Sequence, residues 1–262
     1  MSRVSSRGFG VLAVMVIATT ACGSSRAKPA STPLGLRGSI TVSAASSLSA
    51  AFEELSREFS RRHPGTSVEL NTGSSTALVT QIQQGAPADV FASADVANMT
   101  VLVDANRTSG APSVFARNRL AIVTKPGNPL RITGVADLVN GPVVALCSST
   151  VPCGKYAERI VSGAGLAIPE SMVTREPDAQ ATVGAVANGD ADAAIVYVTD
   201  ARGAGTAVQM VAIADAQNVI ATYPAIALRG SNAPKVGRAF LAFLTSAPAQ
   251  AVLASFGFLP PK

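Results

Sequence analysis

The chain has no tryptophan, one histidine and three cysteines in 262 residues. Each scarcity excludes a chemistry. A single imidazole, His63, cannot supply a multi-histidine metal site, and it weakens any histidine-dependent triad. Three cysteines are too few for zinc clusters or a disulfide-rich scaffold. Charged residues make up only 14% and aromatics 5%, while apolar residues reach 48%. That is the composition of a globular α/β chain, not of a disordered, collagen-like or coiled-coil one. The length suffices for one large domain or two small ones, each with its own core.

Acidic residues are missing from the first 37 positions, which hold Arg3, Arg7, Arg26, Lys28 and Arg37. Those five account for the whole net charge of +5, and from Gly38 onward 16 basic residues face 16 acidic ones. The basic character therefore belongs to a targeting and tether segment, and a nucleic-acid partner is not expected. Arg3 and Arg7 precede a short apolar run at positions 10–18. A basic start, a short apolar run and small residues describe a secretory signal, and the run is too short to span a membrane comfortably. Thr19-Thr20-Ala21-Cys22-Gly23 resembles a bacterial lipoprotein cleavage site, with Cys22 as the lipid-bearing first residue of the mature chain. Thr19 departs from the large aliphatic residue such sites carry, and the alternative is an ordinary secreted protein cut nearby. Residues 1–22 are thus assigned to a lipoprotein-type signal. Residues 23–37, rich in Ser, Ala and Pro, are assigned to a flexible linker. Cys147 and Cys153 then remain, in a compartment that permits disulfides. They are either bridged, bracing the Ser148–Pro152 loop, or two buried free thiols.

From Ile40 the pattern alternates strand and helix. Ile40 and Val42 open a strand. Leu48, Ala51, Phe52, Leu55 and Phe59 repeat at helical spacing and stop at His63-Pro64-Gly65. Val68 and Leu70 mark a second strand, Leu78, Val79 and Ile82 a helix, and Asp89–Ala92 a third strand. A second series begins at Leu120–Val123. Strands are expected at 142–147 and 193–198, and helices around Tyr156–Val161 and Val183–Ala187. An extended segment from Tyr223 to Leu228 and a helix carrying Val236, Phe240, Phe243 and Leu244 complete it. This is the βαβ pattern of a doubly wound sheet, used twice.

Small neutral donors recur between strand and helix: Ser46-Ser47, Ser74-Ser75-Thr76, Val151–Gly154, and a helix start near Asp178–Val183. Helix starts offer unpaired N–H groups and partial positive charge, so several around one cleft would hold an anion. Taken singly, a serine at a helix start is usually just an ordinary helix cap.

The residues also carry a family likeness. Ser43–Leu48, Ala51–Leu55, Gly73–Thr76 and especially Gly85-Ala86-Pro87-Ala88-Asp89-Val90-Phe91-Ala92-Ser93-Ala94-Asp95 resemble the substrate-binding proteins of bacterial molybdate ABC transporters. Val151-Pro152-Cys153-Gly154-Lys155-Tyr156-Ala157 is similar to that family's Val-Pro-Ala-Gly-x-Tyr-Ala element, with Cys153 in place of Ala. Ala194–Ala201 is similar to its Ile-Val-Tyr-x-x-Asp-Ala strand end. The resemblance implies an α/β fold of the two-lobed periplasmic-binding-protein type (type II-like), each lobe a mixed sheet flanked by helices. Lobe I would comprise 38–117 plus 223–262 and lobe II 118–222, with crossings near Arg117–Arg119 and Thr222–Tyr223. It implies a molybdate ligand in the interlobe cleft. Ser47 and Ser75 would give hydroxyls and N–H groups, Cys153 and Val183 backbone N–H groups, and Tyr197 its phenol. Ser46 and Ser74 are the alternates one position away.

Molybdate carries no proton at neutral pH, so it needs only donors, and no Asp or Glu is expected within the donor clusters. Phosphate, which carries a proton, is disfavoured on that ground. Tungstate is close to molybdate in size, and sulfate differs mainly in its shorter bonds. The implied protein is extracytoplasmic, lipid-anchored, monomeric and without cofactor or catalysis, and it delivers the oxyanion to a membrane permease. Sulfate or general oxyanion binding is the first alternative. A secreted hydrolase is a weaker one, since no Gly-x-Ser-x-Gly elbow precedes a helix. A regulator's sensing domain is disfavoured by the signal segment.

Overall fold

The structure, a computed structural model, describes Gly8 and residues 35–262. The expected signal, Cys22 and most of the linker lie outside the described residues. The first elements are β1 (Gly38–Ala45), α1 (Ser49–Arg62), β2 (Thr66–Gly73), α2 (Ser75–Gln83), β3 (Val90–Ala92), α3 (Val96–Asp104) and β4 (Thr108–Asn118). Then follow β5 (Leu120–Thr124), β6 (Val144–Cys147), α4 (Pro152–Gly163), β7 (Val173–Glu176), α5 (Ala179–Ala187), β8 (Ala193–Tyr197), α6 (Val198–Gly203) and β9 (Gln209–Ala212). The chain closes with β10 (Ala221–Leu228), α7 (Pro234–Leu244) and α8 (Ala247–Phe256).

These strands form two five-stranded mixed sheets, flanked by helices. The first runs β2-β1-β3-β10-β4, with β1 parallel to β2 and β3, and β10 antiparallel to β3 and β4. The second runs β7-β6-β8-β5-β9, with β6 parallel to β7 and β8, and β5 antiparallel to β8 and β9. Each thus has three parallel strands followed by an antiparallel one, the same plan twice. The chain leaves the first sheet after Asn118 and enters the second at Leu120. It returns through residues 213–220, ahead of the expected Thr222–Tyr223, because Ala221 and Thr222 already pair with Asn118 and Arg117 of β4.

Covered parallel strands are apolar on both faces, and β8 illustrates it, with all five residues buried. Helix α1 buries Ala51, Phe52, Leu55 and Phe59 on one side and keeps Glu54, Arg57 and Arg61 outward. Phe59 meets the Phe240 ring edge-on at 5.3 Å, and Phe52 lies 6.0 Å from the same ring. Burying each such side chain contributes about 1.5–3 kcal/mol, which anchors α1 and α7 on one face of the first sheet. Cys147 and Cys153 are joined by a disulfide.

The layout has one functional consequence. The turn Ser46–Leu48 follows β1, α2 follows β2, α4 follows β6, and α5 follows β7. Each helical start sits beyond the carboxyl end of a parallel strand, where open α/β sheets place their clefts.

Candidate functional site

The four starts converge. One cavity between the two sheets is lined by Ala45, Ser46 and Ser47 after β1, and by Gly73, Ser74 and Ser75 at β2 and α2. Pro152 and Cys153 at α4, Asp178 and Ala179 at α5, Tyr197 at the end of β8, and Ala94 complete the wall.

Helix caps dictate which N–H groups are free. The Ser74 hydroxyl accepts from the Ala77 N–H at 3.3 Å, and the Asp178 carboxylate accepts from the Ala181 N–H at 3.0 Å. The N–H groups of Ser75, Cys153 and Ala179 lie in the first turns of α2, α4 and α5, where no helical acceptor exists. Pro152 at the first position of α4 costs nothing there, since that N–H has no helical partner in any case.

The hydroxyls are oriented from behind. Ser75 Oγ accepts the Ala94 N–H at 3.0 Å, which turns its own proton elsewhere. Asn118 Nδ2, a pure donor, reaches Tyr223 Oη at 3.4 Å. The Tyr223 proton is then free for Ser47 Oγ, 2.9 Å away. Ser47, having accepted, keeps its own proton for the cavity. Both serines are therefore set as donors toward the space they line.

Tyr197 differs from both. It is 1% exposed, and its hydroxyl has no hydrogen-bond partner among the described residues. A buried unpaired hydroxyl costs about 1–3 kcal/mol, so this one marks a place where a partner belongs. Burial, followed by the nearby Tyr223 and Tyr156 phenols, holds its pKa well above the ordinary tyrosine value, so it stays a donor. The Tyr156 phenol is pushed up to about 12, by burial and then by the charge of Asp95. All three tyrosines of the chain share this cluster, with Tyr197 5.9 Å from Tyr223 and 6.3 Å from Tyr156. No Lys or Arg lines the cavity among the described residues. The site thus offers backbone N–H groups, two serine hydroxyls and one phenol, all neutral, which is the donor set for a small oxyanion.

Comparison with known proteins agrees with this geometry. Residues 40–259 match the family model described as bacterial extracellular solute-binding protein. The chain belongs to that family. The molybdate-binding protein ModA of Mycobacterium tuberculosis is 38% identical over 255 residues, 96% of each chain. The periplasmic molybdate-binding protein of Azotobacter vinelandii superposes with a TM-score of 0.77 at 20% identity, over 85% of this chain and all of that one. The sulfate-binding protein SubI of M. tuberculosis gives 0.75 at 21% identity, over 86% of this chain and 87% of its own. The two structural likenesses establish the two-lobed fold. The relatives are solute-binding proteins rather than enzymes, and the family is extracytoplasmic.

Most residues expected from the sequence lie at the cavity of this solute-binding protein: Ser46, Ser47, Ser74, Ser75, Cys153 and Tyr197. Val183 does not. It is the fifth residue of α5, where a helical N–H already has its acceptor one turn back. It borders an adjoining hollow with Gln180, Thr199 and Asp200, which Ser46 and Ser47 also line. The N–H at the cavity is that of Ala179, one helical turn earlier. A second correction concerns charge: Asp178 is in the wall, as the cap of α5, so the donor clusters are not free of carboxylates. The residues behind the wall were missed as well. Tyr223 and Asn118 touch no motif, and the only signal for them was the scarcity of phenols.

Contacts across the cleft join the sheets around the site. Thr76 Oγ1 donates to the Thr150 carbonyl at 3.1 Å, Thr199 Oγ1 to the Ser47 carbonyl at 3.4 Å, and Tyr156 Oη to the Ala94 carbonyl at 3.5 Å. Asp200 is buried beside this contact, and its Oδ2 accepts the Tyr197 N–H at 3.2 Å. Burial pushes its pKa up to about 7.

Proposed function

We propose that this solute-binding protein captures molybdate in the cavity between its lobes and hands it to the membrane permease of an ABC importer. The observation that carries the reading is the fully buried Tyr197 hydroxyl, without a partner among the described residues, in a cavity walled by helix starts and serines and lined by no described Lys or Arg. An unprotonated dianion would give that hydroxyl an acceptor and would use the N–H groups of Ser75, Cys153 and Ala179 together with the Ser47 and Ser75 hydroxyls. Helix ends and many hydrogen bonds spread the balancing positive potential, so no buried lysine or arginine is needed. The extent of the match to the M. tuberculosis molybdate-binding protein supports the same ligand. Tungstate, close in size and equal in charge, would be taken as well.

The ligand touches both lobes and so stabilises the closed form by differential affinity. The permease would recognise that form. Lipid on Cys22 would keep the protein at the membrane, with residues 23–37 as the spacer. A single copy suffices, because both walls of the site come from one chain. The deciding experiment is calorimetric titration of the full chain with molybdate, repeated in excess sulfate and in excess phosphate. One-to-one binding that survives both supports the reading. Binding abolished by sulfate moves the assignment to sulfate. Loss to phosphate would mean that Asp178 serves as acceptor for a protonated anion.

A further inference from the structure

The disulfide meets the site at two of its four helix starts. Cys153, 3% exposed, lines the cavity at the second position of α4, and its sulfur is bonded to Cys147 at the end of β6. Cys147 Sγ also lies 3.2 Å from Thr182 Oγ1. That same hydroxyl donates to the Asp178 carbonyl at 2.7 Å, at the cap of α5. The hydroxyl's one proton goes to that carbonyl and a disulfide sulfur carries none, so the bridge is bonded to the start of α4 and packed against the start of α5, which bring the Cys153 and Ala179 N–H groups.

The loop enclosed by the bridge is equally constrained. A Cβ on Gly154 would fall 2.0 Å from the Ser148 carbonyl oxygen, so only glycine lets the first turn of α4 close onto that loop. Arg175 Nη1 holds the Cys147 carbonyl at 3.2 Å from the β7 side. Within the loop, Thr150 accepts the Thr76 hydroxyl of the opposite lobe. The Cys153 donor and one contact across the cleft thus sit on seven residues of backbone closed by sulfur, and the first turn of α5 packs against them.

We infer that the Cys147–Cys153 disulfide is a positioning element of the anion site, setting the first turns of α4 and α5 so that anion affinity depends on the oxidation state of the pair. The inference rests on the molybdate reading and adds a dependence that the reading does not contain. Affinity and oxidation are then linked reciprocally, since whatever factor reduction takes from anion binding, the anion must impose on reduction.

The test uses the full chain equilibrated in ratios of reduced to oxidised dithiothreitol, with and without saturating molybdate. In the reaction the S–S bond breaks to two thiols, and the reagent gives up two thiol hydrogens and closes to its cyclic disulfide. The expected result is molybdate affinity about tenfold lower in the reduced protein, the scale of one charge-assisted hydrogen bond lost, and a redox midpoint moved by about 30 mV by the anion. A bridge that merely stabilised the fold would shift the melting temperature but leave the midpoint unmoved by molybdate. Equal affinities in the two states, with no midpoint shift, overturn the inference alone. No binding by the oxidised protein overturns the molybdate reading beneath it. Thr182→Ala keeps the disulfide, removes the side chain that its sulfur packs against on α5 and avoids any unfolding on reduction. It should weaken molybdate roughly three- to tenfold, and unchanged affinity there also counts against the inference.

Discussion

The two walls of the cavity reach the same end by different means. In the first lobe, Ser47 and Ser75 are already hydrogen-bonded from behind, by Tyr223 and by the Ala94 N–H. In the second, the Tyr197 hydroxyl has no partner among the described residues, and the remaining donors are backbone groups beside a disulfide and an aspartate cap. The hydroxyls of the first wall are held in place without ligand, and the phenol of the second is not. Preorganised donors spend little on ordering when the anion arrives, whereas an orphan donor gains most from it. The first wall therefore sets orientation, and the second makes closure depend on an occupant.

Substitutions can break this contrast. The largest loss is expected from Ser47→Ala combined with Ser75→Ala. Each removes a hydrogen bond to a charged ligand, about 1.5–3 kcal/mol, so calorimetry should find molybdate affinity lowered by roughly two to four orders of magnitude. The double variant should also melt lower, because Ser75 satisfies the Ala94 N–H in the absence of ligand. Tyr197→Phe should cost roughly 10- to 100-fold in affinity. Unlike the serine pair, it should melt no lower than wild type without ligand, since its hydroxyl bonds to none of the described residues. A marked loss of thermal stability in that variant would erase the distinction between the walls. Tyr223→Phe tests the support alone. It touches no ligand but removes the donor that orients Ser47, and a loss of about fivefold is expected, the scale of one neutral hydrogen bond.

The smallest effect is one of pH. Burial raises the Asp200 pKa in the folded protein from the ordinary carboxyl value to about 7. Between roughly pH 4 and pH 7 the folded state then holds a proton that the unfolded state has lost, so this group makes stability fall as pH rises through that window. Asp200→Asn retains an acceptor for the Tyr197 N–H and removes the titration. Denaturant unfolding across that window should show a shallower decline in the variant, and parallel curves would refute the assignment.

Legibility followed the strength of local pattern. Helix α1 was plain because Phe52, Leu55 and Phe59 repeat on one face. Helix α3 was not, since Val96, Val101 and Val103 are exposed and blur its polar side. Strand β4 was hidden by Gly110 and Pro112, which suit irregular strands, and its pairing with β10 is indeed broken by register shifts. The serine pairs were visible because hydroxyl residues at helix starts are conspicuous. The helix start near Asp178–Val183 was visible, but the resemblance put the donor at Val183 on the weak Ala181-Thr182-Val183-Gly184 motif, one turn past the first N–H of α5.

Sequence by itself determined the repeated strand–donor–helix units, the neutral chemistry of their ends, the family resemblance and the electrical balance of the folded part. These depend on residues close together in the chain. Only the tertiary structure decided that four helix starts meet at one cavity, that Ala179 rather than Val183 stands there, and that Asp178 is in the wall. The fold alone also joined the two cysteines, placed Asn118 and Tyr223 behind Ser47, and left the Tyr197 hydroxyl without a partner. The physical reason is distance along the chain. Ser47 and Tyr223 are 176 positions apart, and Asn118 and Tyr223 are 105 apart. No local propensity carries information about a hydrogen bond between residues so far removed, and only the packing of the two sheets makes it.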